Sequence, residues 1–338
     1  MSLQHVFSNI SNTFNLTNTT TKGKDQYHIG HVPKDINPCY PEDPPFSFQY
    51  SAQAFYIFQT ALCTTATVFT ILLNIIFLST MCYKRKLRTL ANKLFILLSV
   101  TDLLQGLTVW PMGAAAAHNL HMVVQVCWLL DLVSSLGYIL GFMSVTAIFL
   151  ISLEQFTAIH FPFFHEQNMT ITRMVVPFTI MHVVLSIANL MTTFKYEGEW
   201  IIYKSVVSSL GLLLIILMCC VLYPKIMHTA TKTATVISKT NVKEGKQIKG
   251  RARAAKTGLI ILVTLIFCYL PTIVYNIYEY QYNGTTITKT YVKLSLEMAS
   301  MLNSVLDPLV YYWRLRSVRE ATKEMMYHVC RKIKHIDE

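Results

Sequence analysis

Seven apolar blocks constrain this chain more than any other feature. They run over about 53–82, 90–117, 122–153, 174–194, 200–224, 257–279 and 290–313. Each is roughly twenty residues or longer, enough for a helix to cross about 30 Å of hydrocarbon. In hydrocarbon every backbone polar group must find its partner inside the protein, so such segments become helices. Only 14% of the 338 residues are charged and 53% are hydrophobic, whereas soluble domains carry about 25% charged residues. A soluble core has no use for seven spans of that length. The sequence predicts an all-α membrane protein, a seven-transmembrane helix bundle followed by a short amphipathic helix at the inner membrane surface.

Lys and Arg placement predicts orientation. With the amino terminus outside, 22 of the 29 basic residues fall on inner segments and 7 on outer ones. The net charge of +11 is then a topology signal and an attraction to anionic lipid, with no call for nucleic acid. Three parts follow: an outer tail over 1–52, the bundle over 53–313, and an amphipathic helix with cytoplasmic tail over 314–338. No apolar stretch with a small-residue cleavage site precedes the bundle, so the first span is expected to act as its own insertion signal. Asn9, Asn15 and Asn18 in the tail and Asn283 in the last outer loop stand in glycan-acceptor triplets.

Cys39 and Cys127 are the two of eight cysteines expected outside. They either form a bridge, worth about 4 kcal/mol by chain entropy, or stand as free thiols. Cys330, in the basic segment "RSVREATKEMMYHVCRKIK", is either a palmitoylation site or a free thiol.

Three motifs narrow the class. "SVTDLLQGLTVWP" lies in the second span, "CYLP" in the sixth and "NSVLDPLVYY" in the seventh. They resemble the rhodopsin-like (class A) G-protein-coupled receptors, over about residues 53–330. Asn303, Asp307, Pro308 and Tyr311 match that family's N-x-x-x-[ND]-P-x-x-Y spacing. Asn74 resembles its first-span Asn, and Tyr223 its fifth-span tyrosine. A short second outer loop without Cys, a fifth span without a central Pro, and D-P-x-x-Y resemble the melanocortin, adenosine and cannabinoid branch.

Physical chemistry supplies roles for these residues. An ionisable group in hydrocarbon costs several kcal/mol, so Asp102 must face the bundle interior. In the family register Ser144, Asn303 and Asp307 meet it. Such a cluster holds a sodium ion, a proton shared between the acids, or a hydrogen-bonded polar core without an ion. Pro271 and Pro308 each remove a backbone hydrogen bond and let their helices bend, which is what a switch needs. Tyr269 stands where the family usually carries Trp.

The inner end departs from the pattern. Gln155, seven residues before Pro162, occupies the place of the family's Arg. A Gln has neither fixed charge nor five-donor fork. The sixth span's inner end offers Arg251 and Arg253 instead of an acid, so Glu154 is expected to pair with one of them. Phe163 resembles the apolar plug the family inserts into its G protein.

At the outer end the resemblance implies a ligand pocket containing Gly137, Tyr138, Phe142, Thr272, Asn276 and Glu297. Gly137 replaces the acid with which amine receptors meet an ammonium. Glu297 either replaces that counterion or pairs with Lys293 on its own helix. Met301 stands where an opsin carries its Schiff-base Lys. No enzyme constellation is present.

The expected function is a plasma-membrane receptor that binds an extracellular ligand and signals to a heterotrimeric G protein, with arrestin as a further partner. The alternatives are a non-coupling or arrestin-only heptahelical receptor, and a transporter or channel. No cofactor is expected beyond a possible sodium ion.

Overall fold

The computed structural model describes the backbone of residues 46–87, 89–121, 127–193, 198–237, 242–278 and 286–334. All regular structure among them is helical. In chain order these are α1 (Phe46–Tyr83), a 3₁₀ turn (Arg85–Leu87), α2 (Leu90–Leu107), α3 (Val109–His121), α4 (Cys127–His160), α5 (Pro162–Asn168), α6 (Ile171–Thr193), α7 (Gly198–Ile237), α8 (Val242–Tyr278), α9 (Thr286–Met301), α10 (Asn303–Arg314) and α11 (Arg316–Lys334). Asn9, Asn15, Asn18, Cys39 and Asn283, the Cys127 side chain and the Arg251 side chain lie outside the described residues.

Among the described residues, six stretches are long and apolar enough to cross a membrane. The seventh apolar block is present as α9 and α10, which meet at Leu302. Each half is shorter and more polar than the other six stretches. The second block is likewise divided, into α2 and α3 at Thr108. Pro111 explains that break: it has no N–H for the carbonyl one turn earlier, and its ring crowds the preceding backbone.

Burial sorts the helices. In the most apolar window of α4, 56% of residues are buried, against 11% in that of α6. So α4 is central and α6 peripheral, presenting Ile180, Val184 and Met191 outward. Outward apolar side chains such as Phe267 on α8 suit a lipid solvent. The main core joins Phe77, Leu94, Leu98, Ile148, Ile151, Ile261, Leu265 and Tyr311.

Polar groups fix the register within this apolar frame. Asn74 is fully buried. Its amide donates to the carbonyls of Thr70 (2.9 Å) and Ser304 (3.2 Å), and its oxygen accepts from Ser99 at 2.7 Å. Pro308 cannot donate to the Ser304 carbonyl one turn back, and Asn74 takes that acceptor instead. A bond missing inside α10 thus becomes a bond between α10 and α1.

At the far end, α11 docks one face on the bundle through Val318, Ala321 and Met325. Thr80 and Thr322 hydroxyls meet at 2.9 Å, and Lys84 pairs with Glu324. The Cys330 thiol on this helix is exposed.

Replacing Asn74 by Ala strands the Ser304 carbonyl and the Ser99 hydroxyl. Thermal unfolding of the purified protein should show a loss of about 1–3 kcal/mol. An unchanged Tm would show that this junction does not hold α1 to α10.

Candidate functional site

Three places along the bundle hold the polar side chains: a seam at mid-depth, a cavity at the Glu297 end, and a cavity at the Glu154 end.

The seam is built by α2, α3 and α10. Asp102, Ser144, Asn303, Ser304 and Asp307 are all buried, none more than 2% exposed. The Asn303 amide donates to Asp307 Oδ2 at 2.9 Å, and Trp110 Nε1 to Ser304 Oγ at 3.1 Å. Asp102 lies close enough to Asp307 for their charges to interact. Both Asp102 oxygens, Asp307 Oδ1, Asn303 Oδ1 and Ser144 Oγ have no protein hydrogen-bond partner. A buried oxygen left so is costly. Asp102, Asn303 and Asp307 leave four such oxygens from two helices, a set without nitrogen or sulfur that suits a hard cation such as sodium, or shared protons. The sequence placed four of these residues together; the structure joins Asn303 to Asp307 and sets Asp102 within charge range of Asp307, while Ser144 is buried with its hydroxyl unpartnered. The sequence missed Ser304 and Trp110, although "NSVLDP" and "TVWP" put both beside motif residues.

The Glu297 end has a narrow cavity of about 20 Å³ between α4, α7, α8 and α9. Gly137, Tyr138, Thr272, Asn276 and Glu297 line it as expected, together with Ser134, Ser209, Tyr269 and Met301. Phe142 does not. Five residues after Gly137, it is turned by about 140° around the helix, and it packs edge-on against His182 with centroids 5.3 Å apart. Two glycines of α4 let neighbours approach. A Cβ at Gly137 would fall 2.6 Å from Met301 Cε, and one at Gly141 2.8 Å from the Tyr269 hydroxyl. Ser134 donates to Glu297 Oε2 at 3.1 Å, and Thr272 bonds the Leu296 carbonyl at 2.8 Å.

The Glu154 end opens into a cavity of about 440 Å³ lined by Asn92, Glu154, Gln155, Ala158, His165, Arg253, Arg314 and Arg316, among others. Glu154 was expected to pair with Arg251 or Arg253. In the structure its Oε1 meets His165 Nε2 at 3.1 Å. α5, begun by Pro162 at its first turn, carries that imidazole back towards α4. Gln155 is 3% exposed, and neither end of its amide has a hydrogen-bond partner. Phe163 is 82% exposed, an apolar group standing free beside this cavity.

The remaining switch candidates separate. Tyr311 sits between Phe77 (4.7 Å) and Phe95 (5.2 Å). Tyr223 belongs to a different cluster, with Ile226, Ala255 and Leu262, pressed against Gly258. Pro271 and Pro308 lie inside α8 and α10. No group of three or more His, Cys, Asp or Glu that could hold a metal occurs among the described residues.

The family model of the 7 transmembrane receptor (rhodopsin family) matches residues 73–311. The chain belongs to that family. The receptor is 27% identical to cannabinoid receptor type 1B of Takifugu rubripes, over 80% of this chain and 63% of that protein. So it spans under two thirds of that relative's length. It is 23% identical to the histamine H2 receptor of Canis lupus familiaris, over 82% of this chain and 80% of the relative. It is 24% identical to the human S-geranylgeranyl-glutathione receptor P2RY8, over 77% of this chain and 76% of the relative. This is therefore a multi-pass membrane protein and a receptor, not an enzyme.

The Gly141 notch can be tested directly. Gly141→Ala should cost about 1–3 kcal/mol by overpacking, and most of that cost should vanish when Tyr269 is also Phe. A double-mutant cycle read by thermal unfolding should give a coupling of at least about 0.5 kcal/mol; additive effects would mean that the hydroxyl does not fill the notch.

Proposed function

We propose that this receptor binds an extracellular ligand at its Glu297 end and engages a heterotrimeric G protein at its Glu154 end. The amino terminus then lies outside the cell, in the plasma membrane. The observation that carries the reading is the Glu154-end cavity of about 440 Å³, with exposed Phe163 on the short helix that brings His165 to it. Large exposed apolar groups next to a polar pocket are what interfaces anchor on. Arg253, Arg314 and Arg316 give the cavity a cationic lining for an acidic partner segment. The excess of Lys and Arg at this end matches a cytoplasmic face, and exposed Cys330 on amphipathic α11 suits palmitoylation against the lipid headgroups.

Between the two ends Asp102, Ser144, Asn303 and Asp307 would hold a sodium ion or shared protons. The ion, when bound, supplies the positive charge that two buried carboxylates require. The chain's own residues present the oxygens from α2, α4 and α10. Any shift of α10 against α2 changes that cage, so ion occupancy favours one arrangement over another. Glycans at Asn9, Asn15, Asn18 and Asn283 and a Cys39–Cys127 bridge belong to the same orientation.

One observation favours a second reading. Gln155 presents a neutral, unpartnered amide where relatives use a cation, so a receptor that binds ligand without activating G proteins, signalling only through arrestin, is the alternative.

Nucleotide exchange on purified Gα subunits with the receptor in vesicles separates the two. The native chain should accelerate exchange on at least one Gα class, and Phe163→Ala should reduce that rate by about tenfold, as for an anchor residue. Exchange that appears only with Gln155→Arg would establish the non-coupling alternative.

A further inference from the structure

We infer that the Glu154-end cavity is also a site for a phosphate-type dianion, held between the start of α2, the start of α11 and the buried amide of Gln155. This rests on the reading that the same end meets the G protein, and it names a regulator of that end: an anion seated there and a partner's tip exclude each other.

Two helix starts converge on this cavity. Leu90 and Ala91, the first residues of α2, line it, and so do Arg316 and Ser317, the first of α11. The helices run 18 and 19 residues. Each presents the positive end of a macrodipole and a first turn of N–H groups without intrahelical acceptors. On α2 the Thr89 hydroxyl takes the Asn92 N–H at 3.3 Å. On α11 the Leu315 carbonyl takes those of Val318 and Arg319, both at 3.0 Å. The N–H groups of Arg316 and Ser317 come before those bonds. Helix starts of this kind bind phosphate.

Side-chain charge adds to the dipoles. Of the described residues lining the cavity, Arg253, Arg314 and Arg316 are cations and Glu154 is the one acid. Glu154 is engaged by His165 at 3.1 Å, and Arg316 by Glu320 at 2.6 Å. Arg314 Nε is buried and has no hydrogen-bond partner in the protein. Gln155 supplies the deciding observation. It is 3% exposed, it lines the cavity, and neither end of its amide is partnered. A buried amide left so is costly, and a guest in the cavity removes that cost.

The donor set selects the guest. Guanidinium groups, helix N–H groups and an amide NH₂ all donate, so the guest must bring negative charge and several acceptor oxygens. A carboxylate brings one charge and two oxygens in a plane. A phosphate dianion sets its oxygens on a tetrahedron and meets donors on different walls at once. Monohydrogen phosphate also carries an O–H for the Gln155 oxygen. Size agrees, because about 440 Å³ admits a phosphate together with the group it esterifies. The same chemistry comes from phosphate in solution and from a phosphomonoester lipid headgroup, as in phosphatidic acid.

Two binding arms separate the sources. In the first, purified receptor in phosphatidylcholine nanodiscs is titrated with radiolabelled inorganic phosphate. In the second, receptor from vesicles holding equal phosphatidic acid and phosphatidylglycerol is washed in detergent, and the lipid retained per receptor is read by mass spectrometry. Phosphate should bind saturably, or phosphatidic acid should be retained over phosphatidylglycerol, and the arm that responds names the source. In that arm Arg314→Gln should weaken binding about tenfold and Gln155→Leu about threefold. Lys332→Gln removes a charge of α11 that does not line the cavity, and it should change binding less than about twofold. Binding in neither arm, or equal losses from Arg314→Gln and Lys332→Gln, overturns the inference. Thermal unfolding identifies any misfolded variant. Arg253→Gln then takes its place with the same tenfold loss expected, and no loss overturns the inference. The saturating anion should also slow nucleotide exchange by the native chain about tenfold, against chloride at equal ionic strength and with exchange by Gα alone unchanged. Unslowed exchange with the anion bound overturns the shared site. Binding itself needs no G protein, so absent exchange with binding that still depends on Arg314 and Gln155 sinks the coupling reading alone.

Discussion

Two carboxyl groups buried where lipid surrounds the helices are the constraint the fold is arranged around. Asp102 on α2 and Asp307 on α10 are fully buried, and neither can be left to hydrocarbon. The helices that carry them must face each other, and the neighbours must bring oxygen and N–H groups to the same depth. Asn303 does so from one turn away on α10. Trp110 and Asn74 tie the adjoining Ser304 from two further helices. Apolar packing would tolerate many rotations of these helices; this set of polar demands tolerates few.

Proline and glycine adapt the bundle to those demands. Pro308 frees a carbonyl that Asn74 then uses, and Pro111 breaks α2 from α3 so that Trp110 can reach Ser304. Gly106 allows Thr70 of α1 to within 2.9 Å of where its Cβ would be, close to the Asn74 junction. At the Glu297 end Gly137 and Gly141 do the same for Met301 and Tyr269. The result is uneven: one end is almost filled by the chain itself, and the other stays open at about 440 Å³. α8 joins them, with Tyr269 and Thr272 at the narrow cavity and Arg253 at the wide one.

Much of this was legible because a membrane makes sequence unusually explicit. Asn74, Asp102 and Asp307 stand out as polar letters in apolar blocks, so their inward facing follows from solvation alone. The spans follow from length. What sequence could not supply was the choice among partners of similar chemistry. Glu154 had two arginines within plausible reach, yet takes His165, because α5 folds back after Pro162 and returns an imidazole to it. Phe142 looked equivalent to its aromatic neighbours, but a helical offset of five residues aims it at His182. The split at Leu302 is also invisible in hydropathy, since it interrupts a block without changing its composition.

The central helix shows how the departures belong together. α4 shares with the α2–α3 stretch the highest buried fraction of the six apolar stretches, so a charge on it needs its partner close by. It carries no acid at Gly137 and no cation at Gln155. Charges line the cavities from the surrounding helices instead: an acid at Glu297 on α9, cations at Arg253 on α8 and Arg314 on α10. The one acid α4 retains at this end, Glu154, sits beside an imidazole brought by the short helix that follows. With glycine at the narrow cavity and glutamine beside Glu154 at the wide one, most of the charge in each cavity comes from α8, α9 and α10.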